Sequence, residues 1–369
     1  MRLVISGGGT GGHIYPALAV ANALRALRPG AELAYVGGVR GFERRLVGEA
    51  GGLPYHELVV RSLRSAGTSG HTILDPLRLA AATPQAWALL GRLRPAAVFS
   101  TGGYLAVPLV AAARARRIPT VVWEGNVVPG RATRAVGRWA TRVAVAFPPT
   151  AAAFGERGFV SGTPIRAFAG IDRPEARAEL GVAPEERLLL VFGGSQHTAR
   201  LTAALEEAIP RLIEDWIVLH LAGEAGMPQA TATRDRLPAS HRDRYRPEPY
   251  LTDGMAAALV AADLVLGRAG SSTCAEVAAV GVASILVPYP YAHGHQAANA
   301  AWLAEHGAAV AVPDAELTGE RLLAEVAALD DEGRRERMAS AARALGRPDA
   351  AKEIAAAVIE LAEAAEAAA

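Results

Sequence analysis

An apolar run, Leu3-Val4-Ile5, reads as a buried strand that runs straight into Ser6-Gly7-Gly8-Gly9-Thr10-Gly11-Gly12-His13-Ile14-Tyr15-Pro16. Beyond it Ala17, Val20, Ala21, Leu24 and Leu27 recur at helical spacing, and Pro16 suits a first helical turn. Five glycines between residues 7 and 12 let the backbone approach a ligand closely, and the amides of a helix start favour an anion. Such a turn can also serve only to pack strand on helix. Six consecutive residues with almost no side chain offer little to pack.

Gly7, Gly9 and Gly12 satisfy G-x-G-x-x-G, a dinucleotide fingerprint that wants an acid about 20 positions on, at the tip of the second strand. The second strand, residues 32 to 36, ends instead in Gly37-Gly38-Val39-Arg40, with no acid to hold a ribose. A P-loop needs G-K-[ST], and the only lysine of the chain is Lys352. The turn closes with His13, beside the phosphate-binding amides. A histidine there can accept a proton, and it can equally cap or pack.

The strand-to-helix pattern then repeats. Residues 42 to 50 read as a short helix, 53 to 60 as a strand, 61 to 67 as a basic loop and 76 to 93 as a long helix. Strand 97 to 100 enters a second glycine turn, Thr101-Gly102-Gly103-Tyr104; strand 120 to 123 ends in Glu124-Gly125-Asn126; residues 141 to 147 make one more. Gly162-Thr163-Pro164 looks like a domain joint, after which the pattern restarts. Strand 187 to 192 meets Gly193-Gly194-Ser195-Gln196, and residues 217 to 221 follow as a strand. Strand 263 to 266 meets Gly267-Arg268-Ala269-Gly270-Ser271-Ser272-Thr273, which opens a helix through Glu276; strand 283 to 287 precedes a helix carrying His295, Gln296 and Asn299. The expectation is an α/β chain of two doubly wound, Rossmann-like domains, 1–163 and 164–350, facing a central cleft. Residues 351–369 form an alanine-rich helix with the stripe Ile354, Val358 and Leu361, expected to pack back on the first domain. A nucleoside diphosphate suits a cleft with a helix start on each wall. Glu276 can accept two hydrogen bonds from a ribose diol, or close a capping box with Thr273.

Apolar residues make up 51% of the 369-residue chain and charged ones 20%, which fits a globular protein of two domains. No apolar run reaches the roughly 18 to 20 residues of a membrane span, and no signal-peptide pattern precedes the first strand. The single cysteine, Cys274, permits no intrachain disulfide, fits a cytosolic setting and reads as a small packed residue. The net charge of +1 hides a polarity: residues 1 to 163 hold 19 arginines against 7 acids, a balance of +12, and the remainder carries −11. The basic half is expected to face something anionic, either a membrane surface or a phosphorylated partner, unless the two halves simply attract each other. Nucleic acid is not expected, since no aromatics interleave the arginines and no nucleic-acid module is visible. Within helix 76 to 93, Leu77, Trp87, Leu90 and Leu93 with Arg78, Arg92 and Arg94 form an apolar face flanked by arginines. That face suits an anionic membrane surface or packing on its own sheet.

Taken in order, Gly-Gly-Thr-Gly-Gly-His at 8 to 13, Gly-Gly-Tyr at 102 to 104, Gly-Gly-Ser-Gln at 193 to 196, Arg-Ala-Gly at 268 to 270 and His-Gln at 295 to 296 resemble the MurG family of peptidoglycan glycosyltransferases nearly end to end. The resemblance implies the two-domain GT-B fold and a peripheral enzyme on the cytoplasmic face of the cell membrane. Its implied reaction moves N-acetylglucosamine from UDP-N-acetylglucosamine to an undecaprenyl-pyrophosphoryl-N-acetylmuramyl-pentapeptide lipid, with inversion and without a cofactor. By motif, Thr10, Gly11 and Gly12 would line the diphosphate and acceptor side, and Ser195 would contact phosphate. Arg166 would meet the nucleotide, and Asn126 the substrate. Ser271, Ser272, Thr273, Cys274, Ala275 and Glu276 would hold the nucleoside diphosphate, with Glu276 on the ribose. Leu251 would lie against uracil, and Gln296 with Asn299 would face the sugar. The base is expected to be His13, with Glu124 as the alternative. No Asp-x-Asp signals a metal-bridged donor, so no metal site is expected, and helix starts with Arg166 can stabilise the diphosphate. The family pattern His-Glu-Gln-Asn stands here as Trp123-Glu124-Gly125-Asn126, Gly-Asn-Pro-Val-Arg as Gly162-Thr163-Pro164-Ile165-Arg166, and His197-Thr198-Ala199 follows Gln196 in place of Gly-Ala. Rival readings are another UDP-sugar enzyme of this fold, such as a glycolipid glycosyltransferase or a UDP-N-acetylglucosamine epimerase, and a non-catalytic nucleotide-binding protein.

Overall fold

The structure, a computed structural model, describes residues 1–39, 43–49, 52–60, 71–193, 199–251, 254–292 and 294–368, and of residues 71–80 the backbone alone. The basic loop at 61–67 and the Ser195 turn lie outside these residues. Two compact units emerge: Met1–Ile165 together with Pro348–Ala369, and Arg166–Arg347.

The first unit is built on strands β1 (Arg2–Ser6), β2 (Glu32–Gly38), β3 (Tyr55–Leu58), β4 (Ala97–Ser100), β5 (Thr120–Glu124), β6 (Arg142–Val145) and β7 (Gly158–Val160). Their order is β3-β2-β1-β4-β5-β6-β7, and every adjacent pair is parallel. Central strands of a parallel sheet are covered on both faces, which is why Leu3-Val4-Ile5 is apolar throughout and fully buried. The strand order reverses between β1 and β4, and in open parallel sheets the carboxyl ends at such a reversal are where ligands bind. β7 has three residues, too short for a periodic signal in the sequence.

The second unit repeats the design with β8 (Arg187–Phe192), β9 (Trp216–Leu221), β10 (Tyr245–Glu248), β11 (Leu264–Gly267), β12 (Ala283–Leu286) and β13 (Val310–Ala311). The order β10-β9-β8-β11-β12-β13, again parallel, reverses between β8 and β11. Both units are therefore doubly wound.

Two helices bear on the expectations above. The helix Ala350–Ala367 belongs to the first unit, where Ile354, Ala355, Val358 and Ala362 share one core with Leu3, Ile5, Val20 and Leu24. Ion pairs from Arg28 to Glu363 and from Arg142 to Glu360 flank that seam. The long helix starts at His71, ahead of the expected 76, and runs to Leu93. Its Ala82, Ala86, Leu89 and Leu90 pack with Val4, Val36 and Val98, and Leu93 lies against them. Leu90 thus faces the sheet and not a membrane, because the stripe at helical spacing finds an apolar sheet to cover. Trp87 stays outside, 50% exposed, with the Arg116 guanidinium 3.7 Å from its ring centre. No helix among the described residues is long and apolar enough to cross a membrane.

Truncating a fully buried isoleucine removes its burial and leaves a cavity, at a cost of about 2–5 kcal/mol. Ile354→Ala should lower the stability of the first unit by that amount. Native-state hydrogen exchange should show faster exchange in β1 to β7 and no change in β8 to β13.

Candidate active site

At the first reversal of strand order, the chain leaves β1 through Gly7 to Thr10 into the helix Gly11–Leu27, and leaves β4 through Thr101-Gly102 into the helix Gly103–Ala115. The two turns touch. A Cβ on Gly7 would stand 2.5 Å from the His13 carbonyl oxygen and 2.6 Å from Thr101 Oγ1, so only glycine fits. Thr101 donates from its amide to the Ser6 carbonyl at 2.9 Å and from its hydroxyl to the His13 carbonyl at 2.9 Å. In return, His13 Nδ1 lies 2.8 Å from the Thr101 carbonyl oxygen. A carbonyl only accepts, so Nδ1 carries the proton and Nε2 is the ring nitrogen that can take one.

Thr10 is the N-cap of the first helix in extended conformation, and its side chain makes no capping bond. His13 and Ile14 donate their amides to the Thr10 carbonyl at 3.0 and 3.2 Å. Thr10 and Gly11 are half-buried and Gly12 is exposed, so the helix start lies open along this edge.

Glu124, at the end of β5, is buried and engaged on both oxygens. Oε1 accepts from the Asn126 amide at 3.0 Å and from Asn126 Nδ2 at 2.9 Å, and Oε2 from the Gly130 amide at 2.9 Å. Its carboxylate shapes the loop from Gly125 to Gly130. Trp123, where the family pattern has histidine, donates its indole N–H to the Gly162 carbonyl at 3.0 Å.

Sequence reasoning missed Glu43. The tip of β2 itself carries no acid. This one stands a few residues further on, fully buried, and accepts the Gly9 amide at 2.8 Å. Its signal was the acid after Gly37-Gly38, read as an ordinary helix residue.

In the second unit, β11 leads through Gly267 to Gly270 into the helix Ser271–Val280. Gly270 is the N-cap, without a side-chain capping bond, so Thr273 and Glu276 sit inside the helix and the capping box does not form. Ser271, Ser272, Thr273 and Ala275 are half-buried, whereas Cys274 is buried and its thiol is pushed up to about 12 by that burial. Glu276 is buried too, and its Oε1 accepts from Arg166 Nε at 2.8 Å. Burial holds the Glu276 carboxyl above its ordinary range, with the Arg166 guanidinium pulling the other way.

Gln296 accepts the Tyr289 amide at 2.8 Å. Asn299 is 0% exposed and donates to the Ala269 carbonyl at 3.2 Å, so it braces the turn after β11 from beneath. Arg268 of that turn pairs with Asp314 at 2.5 Å. Leu251 is half-buried just ahead of the helix Met255–Ala261. The structure thus gathers Thr10, Gly11, Gly12 and His13 at the first reversal, Glu124 at the end of the neighbouring β5 with Asn126 in the loop after it, and Arg166 with Ser271 to Glu276 at the second.

Two doubly wound units, each with a glycine turn and a helix start where its strand order reverses, are of the GT-B fold class. The model of the glycosyltransferase family 28 N-terminal domain matches residues 3–145, and that of the family 28 C-terminal domain residues 188–354. The UDP-N-acetylglucosamine–N-acetylmuramyl-(pentapeptide) pyrophosphoryl-undecaprenol N-acetylglucosamine transferase of Desulforudis audaxviator is 40% identical over 96% of this chain and 96% of its own. A crystal structure of MurG from Acinetobacter baumannii superposes with a TM-score of 0.78 at 30% identity, covering 97% of this chain and 99% of that one. A putative UDP-N-acetylglucosamine 2-epimerase from Listeria monocytogenes shares the fold alone, with a TM-score of 0.70 at 15% identity, over 97% of this chain and 95% of that one. The chain belongs to glycosyltransferase family 28 and, within it, to the MurG family of N-acetylglucosamine transferases.

A carboxyl whose proton is held more tightly in the folded state stabilises the fold while protonated and costs stability once ionised. The second unit should therefore lose stability as pH rises from the ordinary carboxyl range, about 4 to 5, through the raised Glu276 value. Arg166→Gln should deepen that loss. The effect should stay below the roughly 3–5 kcal/mol of a fully buried pair, because the Arg166 side chain is 40% exposed. Urea unfolding of both proteins between pH 4 and 8 measures it.

Proposed function

We propose that this chain transfers N-acetylglucosamine from UDP-N-acetylglucosamine to the 4-hydroxyl of the N-acetylmuramyl sugar in an undecaprenyl-pyrophosphoryl-pentapeptide lipid, inverting the anomeric carbon. The observation that carries this reading is the His13 imidazole, set by Thr101 in the tautomer whose Nε2 accepts a proton, at a helix start over the first reversal. As the acceptor oxygen attacks the anomeric carbon, Nε2 takes its proton; the bond from that carbon to the phosphate oxygen breaks, and UDP leaves with the electron pair. Thr10, Gly11 and Gly12 would line the acceptor and its diphosphate.

Glu124 is the weaker candidate for the base, since three donors already occupy its oxygens. Its part, with Asn126, is to shape the loop beside the acceptor. On the donor side, the amides and hydroxyls of Ser271, Ser272 and Thr273 would meet the diphosphate, with Cys274 and Ala275 completing that helix start. Glu276 would accept the ribose hydroxyls, with Arg166 beside it to neutralise the leaving group. Leu251 would lie against uracil, Gln296 against the sugar, and Asn299 would act through the Ala269 carbonyl. Ser195, expected on phosphate, lies outside the described residues. No cofactor enters this scheme.

The purified chain should release UDP from UDP-N-acetylglucosamine only when the lipid acceptor is present. His13→Ala should lower that turnover by about a hundred- to ten-thousand-fold, the usual range for a general base, with UDP affinity unchanged by calorimetry. Turnover near normal would move the base elsewhere. Conversion of the donor without acceptor would make the chain an epimerase-like enzyme.

The same reading places the chain peripherally on the cytoplasmic face of the membrane, with residues 1–163 toward the anionic lipid and residues 164–350 holding the donor. Support comes from the +12 balance of the first 163 residues and from two exposed tryptophans set among arginines. Arg116 lies over Trp87, while Arg114 and Arg117 line a shallow pocket with Trp139. Tryptophan with arginine suits the headgroup level of a bilayer, where each basic residue adds about 1 kcal/mol. Binding to anionic vesicles should fall as salt rises, and Trp87→Ala with Trp139→Ala should weaken it while sparing transfer to a short, soluble acceptor. Sedimentation with vesicles at 50 and 500 mM salt measures both, and binding indifferent to salt and to both tryptophans removes this surface from the membrane.

A further inference from the structure

Glu43 opens the helix Glu43–Glu49 that follows β2, and it is fully buried. Its Oε1 lies 2.8 Å from the Gly9 amide nitrogen and 3.4 Å from the Tyr104 hydroxyl. Its Oε2 is buried and makes no hydrogen bond among the described residues. A carboxylate buried with one oxygen unpaired is costly, so its presence calls for a task.

The rest of the glycine turn is gripped from the same side. The Tyr35 hydroxyl donates to the Gly7 carbonyl at 2.6 Å. Gly9 has φ +88, and a Cβ there would stand 2.8 Å from Cε1 of the Tyr104 ring. Burial raises the Tyr104 hydroxyl well above its ordinary range, and the charge of Glu43 adds to the rise, so Tyr104 remains a donor throughout neutral pH. Tyr35 and Glu43 thus hold the Gly7 carbonyl and the Gly9 amide, and Tyr104, in the helix after β4, donates to Glu43 with its ring against Gly9.

A peptide unit is planar and trans, so an amide aimed at Glu43 sends the preceding carbonyl the opposite way. Here that carbonyl is Gly8, and the other side is where His13 stands. A Cβ built on Gly103 would lie 3.5 Å from His13 Nε2 and 3.9 Å from the Gly8 oxygen, so both acceptors border the same glycine.

We infer that Glu43 is a positioning residue: by holding the Gly9 amide it fixes the Gly8 carbonyl beside the His13 imidazole, so that two acceptors meet the incoming sugar together. Nε2 receives the proton of the hydroxyl that reacts, and the Gly8 oxygen takes a second N–H or O–H of the same sugar. This rests on the reading of His13 as the base.

Glu43→Ala releases the Gly9 amide, whereas Glu43→Gln keeps an acceptor on it and removes the charge. Misplacement of a reacting group by about 1 Å costs on the order of a hundredfold. Glu43→Ala should therefore lower kcat for transfer by about that factor, with UDP affinity unchanged, and Glu43→Gln should recover most of it. In a spectrum of the 15N-labelled chain, the Gly9 amide proton should lie downfield in the native protein and in Glu43→Gln, and move upfield in Glu43→Ala. In a His13→Ala background, Glu43→Ala should add little, since both act on one pair of acceptors. Hydrogen exchange in β1 to β4 distinguishes a lost fold from a lost position, and Glu43→Gln carries the comparison if the alanine variant unfolds.

Native turnover in Glu43→Ala would overturn the inference. So would a Glu43→Gln variant as slow as Glu43→Ala with its Gly9 resonance unmoved, because charge and not the hydrogen bond would then matter. If His13→Ala alone retains turnover, the base reading fails, while the Gly9 resonance still reports whether Glu43 holds the turn.

Discussion

The backbone of the first glycine turn has to come within hydrogen-bonding distance of the turn after β4, and much of the first unit follows from that approach. Thr101 makes the contact in both directions, reaching Ser6 and His13 with its own donors and receiving His13 Nδ1 on its carbonyl. A side chain at Gly7 would separate the turns, and with them the two strands on which the order of the sheet reverses. One constraint on backbone distance thus sets the tautomer of an imidazole.

The buried polar groups around these turns mostly hold backbone. Glu124 takes two amides and the Asn126 side chain, Glu43 takes the Gly9 amide, and Asn299 and Gln296 grip Ala269 and Tyr289. A loop at a sheet edge has no ladder to satisfy its amides and carbonyls, so side chains from neighbouring elements satisfy them instead. The exposed surface of the edge is left to main-chain amides and a few side chains, chiefly His13 and the serines of the second unit. That division suits a fold shared by enzymes as different as transferases and epimerases, since altering the few outward groups leaves the scaffold standing.

The doubly wound units were legible because a parallel sheet buried on both faces writes continuous apolar runs, each ending in a glycine turn, as at Leu3-Val4-Ile5 and Leu188-Leu189-Leu190. The site was legible where backbone packing demands a residue type, as at Gly7. It was not where the demand is purely spatial. Nothing in the spacing of Glu43 says that its carboxylate lies under Gly9, and nothing in Thr273-x-x-Glu276 says that the helix has already begun at Ser271. Leu90 shows the same limit from the other side: an apolar stripe is written identically whether it covers a sheet or a lipid surface.

The helix Ala350–Ala367 follows the whole of the second unit in sequence, yet belongs to the first. As the polypeptide leaves the ribosome, β1 to β7 emerge well before that helix, so side chains that share a core with Leu3 and Ile5 are still to be translated. Residues 166 to 347, by contrast, form a continuous segment and can close their own core as soon as they appear. The unit translated later is therefore able to mature first, and the earlier one waits, with part of its apolar sheet open, for the helix Ala350–Ala367. For a chain of this topology, synthesis itself becomes an ordered assembly, and a nascent protein cut short before this helix lacks part of the cover of its first unit.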